Sequence, residues 1–272
     1  MTHTETTHAE VRAHPGAAQH ARPVEKPVEE YALRLGDDAL VFSHRLTEWL
    51  TRAPDIEEEV ALANIALDLL GQARFLFSAA GQSTAQDEDV LAFRRSDREY
   101  RNALLVELPN GDFAHTIVRL LFFSAYQCAL YRALEHSADA GLAAFAGKAL
   151  NEVRYHREYA AGWTVRLGDG TEESHDRAAA AVEELWPYTA ELFAEDELVT
   201  ALLSEGVAAD PGALQAEWSE QVGAVLAQAT LGVAPTAAWR PGGGRVGMHT
   251  EALSYLLAEM QSVYRAHPDA AW

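Results

Sequence analysis

Residues 139–168 read DAGLAAFAGKALNEVRYHREYAAGWTVRLG, and this stretch decides the fold. Its apolar positions recur every three or four residues without a break, which is the period of one face of an α-helix. Asp139 opens the helix and Gly168-Asp-Gly170 ends it. A helix this long with one continuous apolar stripe is typical of a helix bundle. The stripe consists of Leu142, Phe145, Ala149, Val153, His156, Ala160, Trp163 and Leu167.

Three more long helices precede this one. Leucines recur at helical intervals over Glu30–Arg52, and the next helix has an acidic first turn followed by apolar residues from Val60 to Ala80. The third helix is capped by Asp112 and ends near His136. Shorter helices are predicted at Asp87–Tyr100, Glu172–Ala194, Asp196–Glu205, Pro211–Thr230 and Thr250–Ala266.

The arrangement of these segments predicts the fold class. Four long helices come first, shorter ones follow, and no segment alternates apolar and polar residues as a strand would. We therefore predict an all-α protein, a four-helix bundle with additional C-terminal helices. Residues 29–272 are expected to form one domain, and residues 1–28, which lack the apolar stretch of a secretory signal, a disordered tail.

The charge excludes two classes of partner. The chain has 41 acidic against 21 basic residues, a formal charge of -20, so phosphate backbones and anionic membrane surfaces would be repelled. The longest apolar stretch, Phe113–Leu134, is interrupted by polar and charged residues and is predicted to be a buried helix, not a membrane span. The single cysteine, Cys128, fits a reducing cytoplasm. We expect binding neither to nucleic acid nor to a membrane.

The helix pattern raises the question of a di-metal site, because bundles of this kind hold two irons with Glu-x-x-His pairs on two helices and single Glu residues on the others. His156 lies on the apolar stripe, but Val153 stands where its glutamate would be, and Glu152 is about 100° off that face. On the second helix Asp68 and Gln72 are one turn apart, with Leu69 at the glutamate position.

These residues also have a purely structural interpretation. A histidine on an apolar helix face is more often a hydrogen-bonded core residue than a ligand. Asn64, Asp68 and Gln72, at successive turns, fit a buried polar network equally well. Aromatic residues at core-like helical positions, Phe75 among them, are expected to be packing residues.

Several ordered motifs resemble one family. They are residues 63–74 (ANIALDLLGQAR), 104–114 (LLVELPNGDFA), 151–156 (NEVRYH), 185–193 (LWPYTAELF) and 250–253 (TEAL). In this order they resemble the C subunits of the bacterial phenylacetyl-CoA 1,2-epoxidases. The similarity runs from about Glu30 to Trp272.

The resemblance implies a ferritin-like fold and membership of a multicomponent monooxygenase of aerobic phenylacetate catabolism. It implies a related catalytic subunit that holds a di-iron centre and epoxidises the ring of phenylacetyl-CoA with oxygen, in a heterodimer or higher assembly. A reductase subunit with flavin and iron-sulfur groups supplies electrons from NADPH, and further small subunits take part. Most cationic contacts to the coenzyme A phosphates are expected from the partner, although Arg94, Arg95, Arg98 and Arg101 could contribute.

Against the motif of the catalytic subunit, this chain departs at the ligand positions. Leu69 and Gln72 replace the second-helix pair, and Val153 replaces the fourth-helix glutamate while His156 remains. The third-helix carboxylate position falls at Ser124, and the first-helix ligand cannot be placed. We therefore expect no cofactor in this chain and a non-catalytic, structural role. Two alternatives remain: an active di-iron oxygenase using Asp68, Glu152 and His156, and an unrelated helical binding protein.

Overall fold

The computed structural model describes residues 26–232, 239–267 and 270, which are helical with no strand. Residues 1–25, the greater part of the expected disordered tail, lie outside the described residues. The α-helices are α1 Pro27–Thr47, α2 Ile56–Ala80, α3 Glu88–Phe93, α4 Leu104–Glu107, α5 Phe113–Leu134, α6 Ala140–Gly168, α7 Glu172–Leu185, α8 Glu197–Ser204, α9 Pro211–Gln228, α10 Glu251–Met260 and α11 Ser262–Ala266. The 3₁₀ helices are Asp97–Glu99, Trp186–Phe193 and Gly244–Val246.

The four long helices α1, α2, α5 and α6 form the bundle. The most extensive packing joins α1 to α2 and α5 to α6, while α7 and α9 pack against α5 and α6. Nearly every residue of α5 is buried, including the polar residues His115, Arg119 and Gln127. The prediction that Phe113–Leu134 is a buried helix is confirmed.

Side-chain caps set the ends of the helices where the sequence predicts them. The Asp112 carboxylate accepts the backbone N–H of His115 at 2.9 Å, and the Asp139 carboxylate accepts that of Leu142 at 2.8 Å. Each bond satisfies an amide that the first turn of a helix leaves without a partner.

Several predicted boundaries were wrong. α1 ends at Thr47, not Arg52, because residues 48–52 turn and Thr51 takes a positive φ of 70°. The helix predicted over Asp87–Tyr100 is divided into α3 and a 3₁₀ turn by the Ser96 capping box. α7 gives way to a 3₁₀ helix at Trp186. The last predicted helix is interrupted at Gln261, whose buried amide donates to the carbonyl of Ala92 in α3 and to that of Arg95 just after α3.

A C-terminal strap, residues 239–250, contacts the middle of α1, the segment before α4 and the 3₁₀ helix Trp186–Phe193. The Glu191 carboxylate accepts the backbone N–H groups of Gly243 and Gly244, both at 2.8 Å. Arg245 forms a two-pronged ion pair with the buried Asp38 at 3.0 and 2.8 Å. The strap is therefore fixed by buried charge-assisted hydrogen bonds, which are stronger than those between neutral groups.

Candidate functional site

The predicted site residues of the second and fourth helices meet at the contact between α2 and α6. His156 Nε2 lies 3.0 Å from Asp68 Oδ2, and Gln72 Nε2 donates to Glu152 Oε2 at 3.0 Å. These two cross-helix bonds are one helical turn apart on each helix. The structure thus brings together the residues that the Glu-x-x-His comparison singled out.

His156 is completely buried on α6. A carboxylate oxygen accepts only, so the hydrogen bond to Asp68 places a proton on Nε2. Nδ1 is buried and has no hydrogen-bond partner among the described residues. A carboxylate that holds one imidazole nitrogen and leaves the other bare is the arrangement that supports metal-binding histidines. His156 therefore has the hydrogen-bonded carboxylate partner that is typical of a metal-binding histidine.

The positions beside it carry hydrocarbon. Leu69 on α2 and Val153 on α6 are both fully buried, and each stands three residues before the position that a histidine ligand takes in a Glu-x-x-His pair. Iron in oxygen chemistry needs carboxylate oxygens, and neither side chain supplies one. Two of the bridging or terminal carboxylates that a di-iron bundle requires therefore have no counterpart here.

An amide network occupies the neighbourhood of Gln72. Gln72 Oε1 accepts from the Tyr131 hydroxyl at 3.1 Å and from Gln127 Nε2 at 3.3 Å, while its Nε2 donates to Glu152. Gln72, Gln127 and Tyr131 are all buried, and burial raises the pKa of Tyr131, which keeps its hydroxyl protonated. The buried-network interpretation holds for Gln72, whereas Asn64 is exposed.

Ser124 does not join this network. It is fully buried on α5, but its hydroxyl donates to the carbonyl of Leu120 in the same helix at 2.6 Å. The α5 side chains that reach α2 are Gln127 and Tyr131, neither of which the sequence analysis singled out. α5 is apolar on nearly every side, so its pattern gives no face, and only the packing shows which residue points at Gln72.

The register of α1 against α2 shows which α1 residues lie level with Leu69. The Ser43 hydroxyl donates to the carbonyl of Ala66 at 2.7 Å, and a Cβ on Gly36 would lie 2.7 Å from the Phe77 ring. The two helices therefore run antiparallel, and residues 40–42 of α1 lie level with Leu69. These residues are Leu40, Val41 and Phe42, all buried and without oxygen atoms in their side chains.

The donor set does not fit a di-iron centre. Within residues 26–232, 239–267 and 270, no group of three or more His, Cys, Asp or Glu side chains is placed to hold a metal ion. Asp68 is engaged by His156, Glu152 is engaged by Gln72, and both carboxylates are partly exposed at the surface between the helices. The inner positions carry Leu69, Val153 and an amide.

Of the four arginines considered for phosphate binding, Arg95 is buried and Arg98 is exposed. Arg95 is buried, donates to Asp37 at 2.9 Å through Nη1, and lies against the Tyr100 ring. It is therefore unavailable to a ligand, which corrects that expectation. Arg94 donates to the Tyr264 hydroxyl, and Arg101 donates to backbone carbonyls of its own loop.

Comparison with known proteins shows which family this chain resembles. Residues 11–272 match the family model described as phenylacetic acid catabolic protein (PaaA_PaaC). The chain is 50% identical over 243 residues to the C subunit of the 1,2-phenylacetyl-CoA epoxidase of Escherichia coli (strain K12), covering 89% of this chain and 98% of that protein. The predicted resemblance is confirmed.

A solved structure supports the fold class. A Synechococcus protein with aldehyde deformylating oxidase activity superposes with a TM-score of 0.56 at 21% identity, over 77% of this chain and 94% of that one. At this identity the likeness bears on the fold alone. The prediction of an all-α, ferritin-like bundle is confirmed.

Proposed function

This chain belongs to the phenylacetic acid catabolic protein family, and we propose that it is the non-catalytic structural subunit of a phenylacetyl-CoA 1,2-epoxidase complex. A role in phenylacetate catabolism follows from the family. The structural role is the finer claim, and it concerns what the interior of the bundle can bind.

One observation carries the proposal. The fully buried Leu69 and Val153 occupy the two positions at which paired helices of a di-iron bundle supply carboxylates. Without these carboxylates His156 offers a metal only one nitrogen, because its Nε2 is already hydrogen-bonded to Asp68. A lone imidazole does not hold two irons, so the metal centre is assigned to a partner subunit.

Replacing ligands by hydrocarbon suits a scaffold. A buried carboxylate without its metal costs several kcal/mol per ion. A buried leucine or valine instead contributes about 1.5 to 3 kcal/mol. The amide and hydroxyl groups of Gln72, Gln127 and Tyr131 satisfy one another, so the former ligand region is closed without an ion.

The remaining components follow from the same proposal. The partner is a ferritin-like catalytic subunit with the di-iron site, served by a reductase with flavin and iron-sulfur groups that takes electrons from NADPH. Phenylacetyl-CoA binds to the complex, and the partner supplies most of the cationic contacts to its phosphates, since this chain has a formal charge of -20. We place the assembly in the cytoplasm and treat residues 29–272 as one domain.

Co-expression with the candidate catalytic subunit tests the proposal. We expect a stable complex with about two irons per pair of subunits, oxygen-dependent epoxidation of phenylacetyl-CoA, and no stoichiometric iron in this chain purified alone. About two irons in the isolated chain would establish the active di-iron alternative instead. If instead the chain neither associates with the catalytic subunit nor changes its activity, that result would favour the alternative of an unrelated helical binding protein.

A matched pair of variants sharpens this test. His156→Ala in this chain should leave the iron content and the turnover per intact complex unchanged. Replacing the corresponding ligand histidine of the catalytic subunit should remove both. If His156→Ala abolishes turnover in complexes of normal iron content and stability, the non-catalytic assignment is wrong.

A further inference from the structure

Helix α2 has the composition of a buried element but is only half covered. By length and composition alone, α2 and α5 are the described helices apolar enough to cross a membrane. The bundle buries 94% of the apolar window of α5 but only 44% of that of α2. Contiguous exposed apolar surface on a soluble chain marks an interaction site.

The uncovered part of α2 forms one face with the neighbouring helix α6. Its large apolar side chains are exposed by between about one third and three quarters, and Tyr155 of α6 is half exposed beside them. We call this the α2–α6 face; it consists of Ile56, Val60, Leu67, Leu70, Phe75 and Tyr155.

This face is rigid. Asp68 to His156 and Gln72 to Glu152 join the two helices by hydrogen bonds, and the Phe75 ring stacks on Phe145 at 5.1 Å. A partner would therefore meet a preformed surface and would lose little free energy to ordering it.

The spacing of the exposed positions suits a helix as the partner. Val60, Asn64, Leu67, Gly71, Arg74 and Ser78 follow one another at intervals of four and three residues, and all are exposed. Side chains in such a row interdigitate with those of a facing helix. A Cβ on Gly71 would meet no atom within 4 Å, so a facing side chain has room there.

The size of the face also fits a protein subunit. The 25 residues of α2 span about 37 Å at 1.5 Å per residue. With α6 alongside at about 10 Å, the face is roughly 20 Å wide and covers about 700 Å². A stable interface buries about 800 Å² on each partner, so this strip supplies most of one.

The charge selects among occupants. The acidic first turn of α2, Glu57–Glu59, lies at one end of the face, and the whole chain has a formal charge of -20. A second copy of the chain, or an anionic bilayer, would bring like charge to this end. A less acidic subunit with cationic side chains opposite Glu57 and Glu59 is complementary to it.

We propose that the α2–α6 face binds a long helix of the catalytic, metal-holding subunit of the epoxidase. This proposal rests on the proposed function, because that function supplies the partner. The inference adds the surface at which the partner binds. This surface is the outer side of α2, the helix whose inner side carries Leu69 and Gln72.

Two matched double variants test the proposal in the full-length chain, with the catalytic subunit of the same organism as binding partner. Val60→Lys with Leu67→Lys alters the face. Val263→Lys with Tyr255→Lys alters equally exposed apolar residues on α10 and α11; Val60 and Val263 are 55% and 56% exposed. We expect the first variant to keep the wild-type melting temperature and circular dichroism but to bind at least tenfold more weakly. The second should bind as wild type does.

A label provides a measurement that does not depend on a destabilising change. Cys128 is buried and burial raises its thiol pKa to about 11, so it stays unreactive in the folded chain. Asn64→Cys on the face should lose its reactivity to maleimide when the catalytic subunit binds. Ala258→Cys on α10 should keep it.

The outcomes separate the two proposals. If the wild-type chain binds the catalytic subunit and the Val60/Leu67 variant binds equally well, with position 64 still reactive, the α2–α6 face is not the interface but the structural role stands. If the wild-type chain does not bind at all, the proposed function fails first. A third outcome would also overturn the inference. In it, the wild-type chain self-associates or binds anionic vesicles, the Val60/Leu67 variant does not, and the catalytic subunit leaves position 64 reactive.

Discussion

Replacing Leu69 by glutamate tests the central physical claim, that hydrocarbon fills the inner positions of the bundle. Leu69 is fully buried on α2, whereas Leu67, two residues earlier on the same helix, is 63% exposed. Leu69→Glu removes a buried leucine, about 1.5 to 3 kcal/mol, and buries a carboxyl group whose polar atoms have no prepared partner, about 1 to 3 kcal/mol. The expected loss is about 2.5 to 6 kcal/mol at pH 7, while Leu67→Glu should change the stability by at most about 0.5 kcal/mol.

The loss should also depend on pH in a defined direction. Burial raises the pKa of a carboxyl group in the folded state, so the folded protein holds the proton more tightly than the unfolded chain does. The deficit of Leu69→Glu should therefore be smallest below the unfolded value of about 4.3 and should grow as the pH rises through the folded pKa. Urea unfolding of both variants and wild type at several pH values measures it.

The result that would refute the reasoning is specific. If Leu69→Glu is as stable at pH 7 as Leu67→Glu, the side chain at position 69 reaches water, and the interior position assigned to it is wrong. A stoichiometric gain of iron by Leu69→Glu alone would show in addition that the other donors suffice for a metal site.

Three further predictions concern the network and the strap. Gln72→Leu should destabilise the isolated chain by about 1 to 3 kcal/mol, because the Tyr131 hydroxyl loses its acceptor in the core, but should leave the iron content of the complex unchanged. Burial alone would lower the pKa of His249, yet its hydrogen bond and ion pair with Glu107 raise the pKa above the ordinary value. The stabilising pair should thus be fully formed below about pH 6.5 and weaken as the pH rises through the folded pKa, so wild type should lose more stability than His249→Asn between pH 6 and pH 8 in urea unfolding. Gly244→Ala would place a Cβ 2.0 Å from a backbone carbonyl oxygen, so it should loosen the strap, lower the melting temperature and increase proteolysis there.

The long helices could be predicted from sequence because their stripes and caps are local. Asp112 and Asp139 cap their helices as expected, and the α6 stripe from Leu142 to Ala160 is buried. The predicted end of α1 is five residues too late. The turn at residues 48–52 depends on the positive φ of Thr51, and that stretch has no glycine or asparagine to indicate such a backbone angle.

The candidate site could be predicted in part for the same reason. The positions of Leu69, Val153 and His156 follow from spacing within one helix. The partners of Gln72 do not, because Gln127 and Tyr131 lie more than 50 residues away on a helix without a polar face. The ion pair of Arg245 with Asp38 joins residues 207 positions apart, so no local pattern indicates it.

Phe75 illustrates the difference between burial within one chain and burial within an assembly. It is predicted to be a packing residue, and its ring does stack on Phe145, yet the ring is 45% exposed. The sequence could not indicate this exposure, because α2 is apolar around most of its circumference and the pattern does not show which side lacks a partner. One side of α2 faces α1 and α6 and carries the buried Leu69. On the other side Arg74 and Ser78 bond to Glu88 of α3, while Val60 and Leu67 are exposed. The proposed structural role predicts that the metal-holding subunit covers these exposed apolar residues, so that α2 is buried on both sides only in the complex.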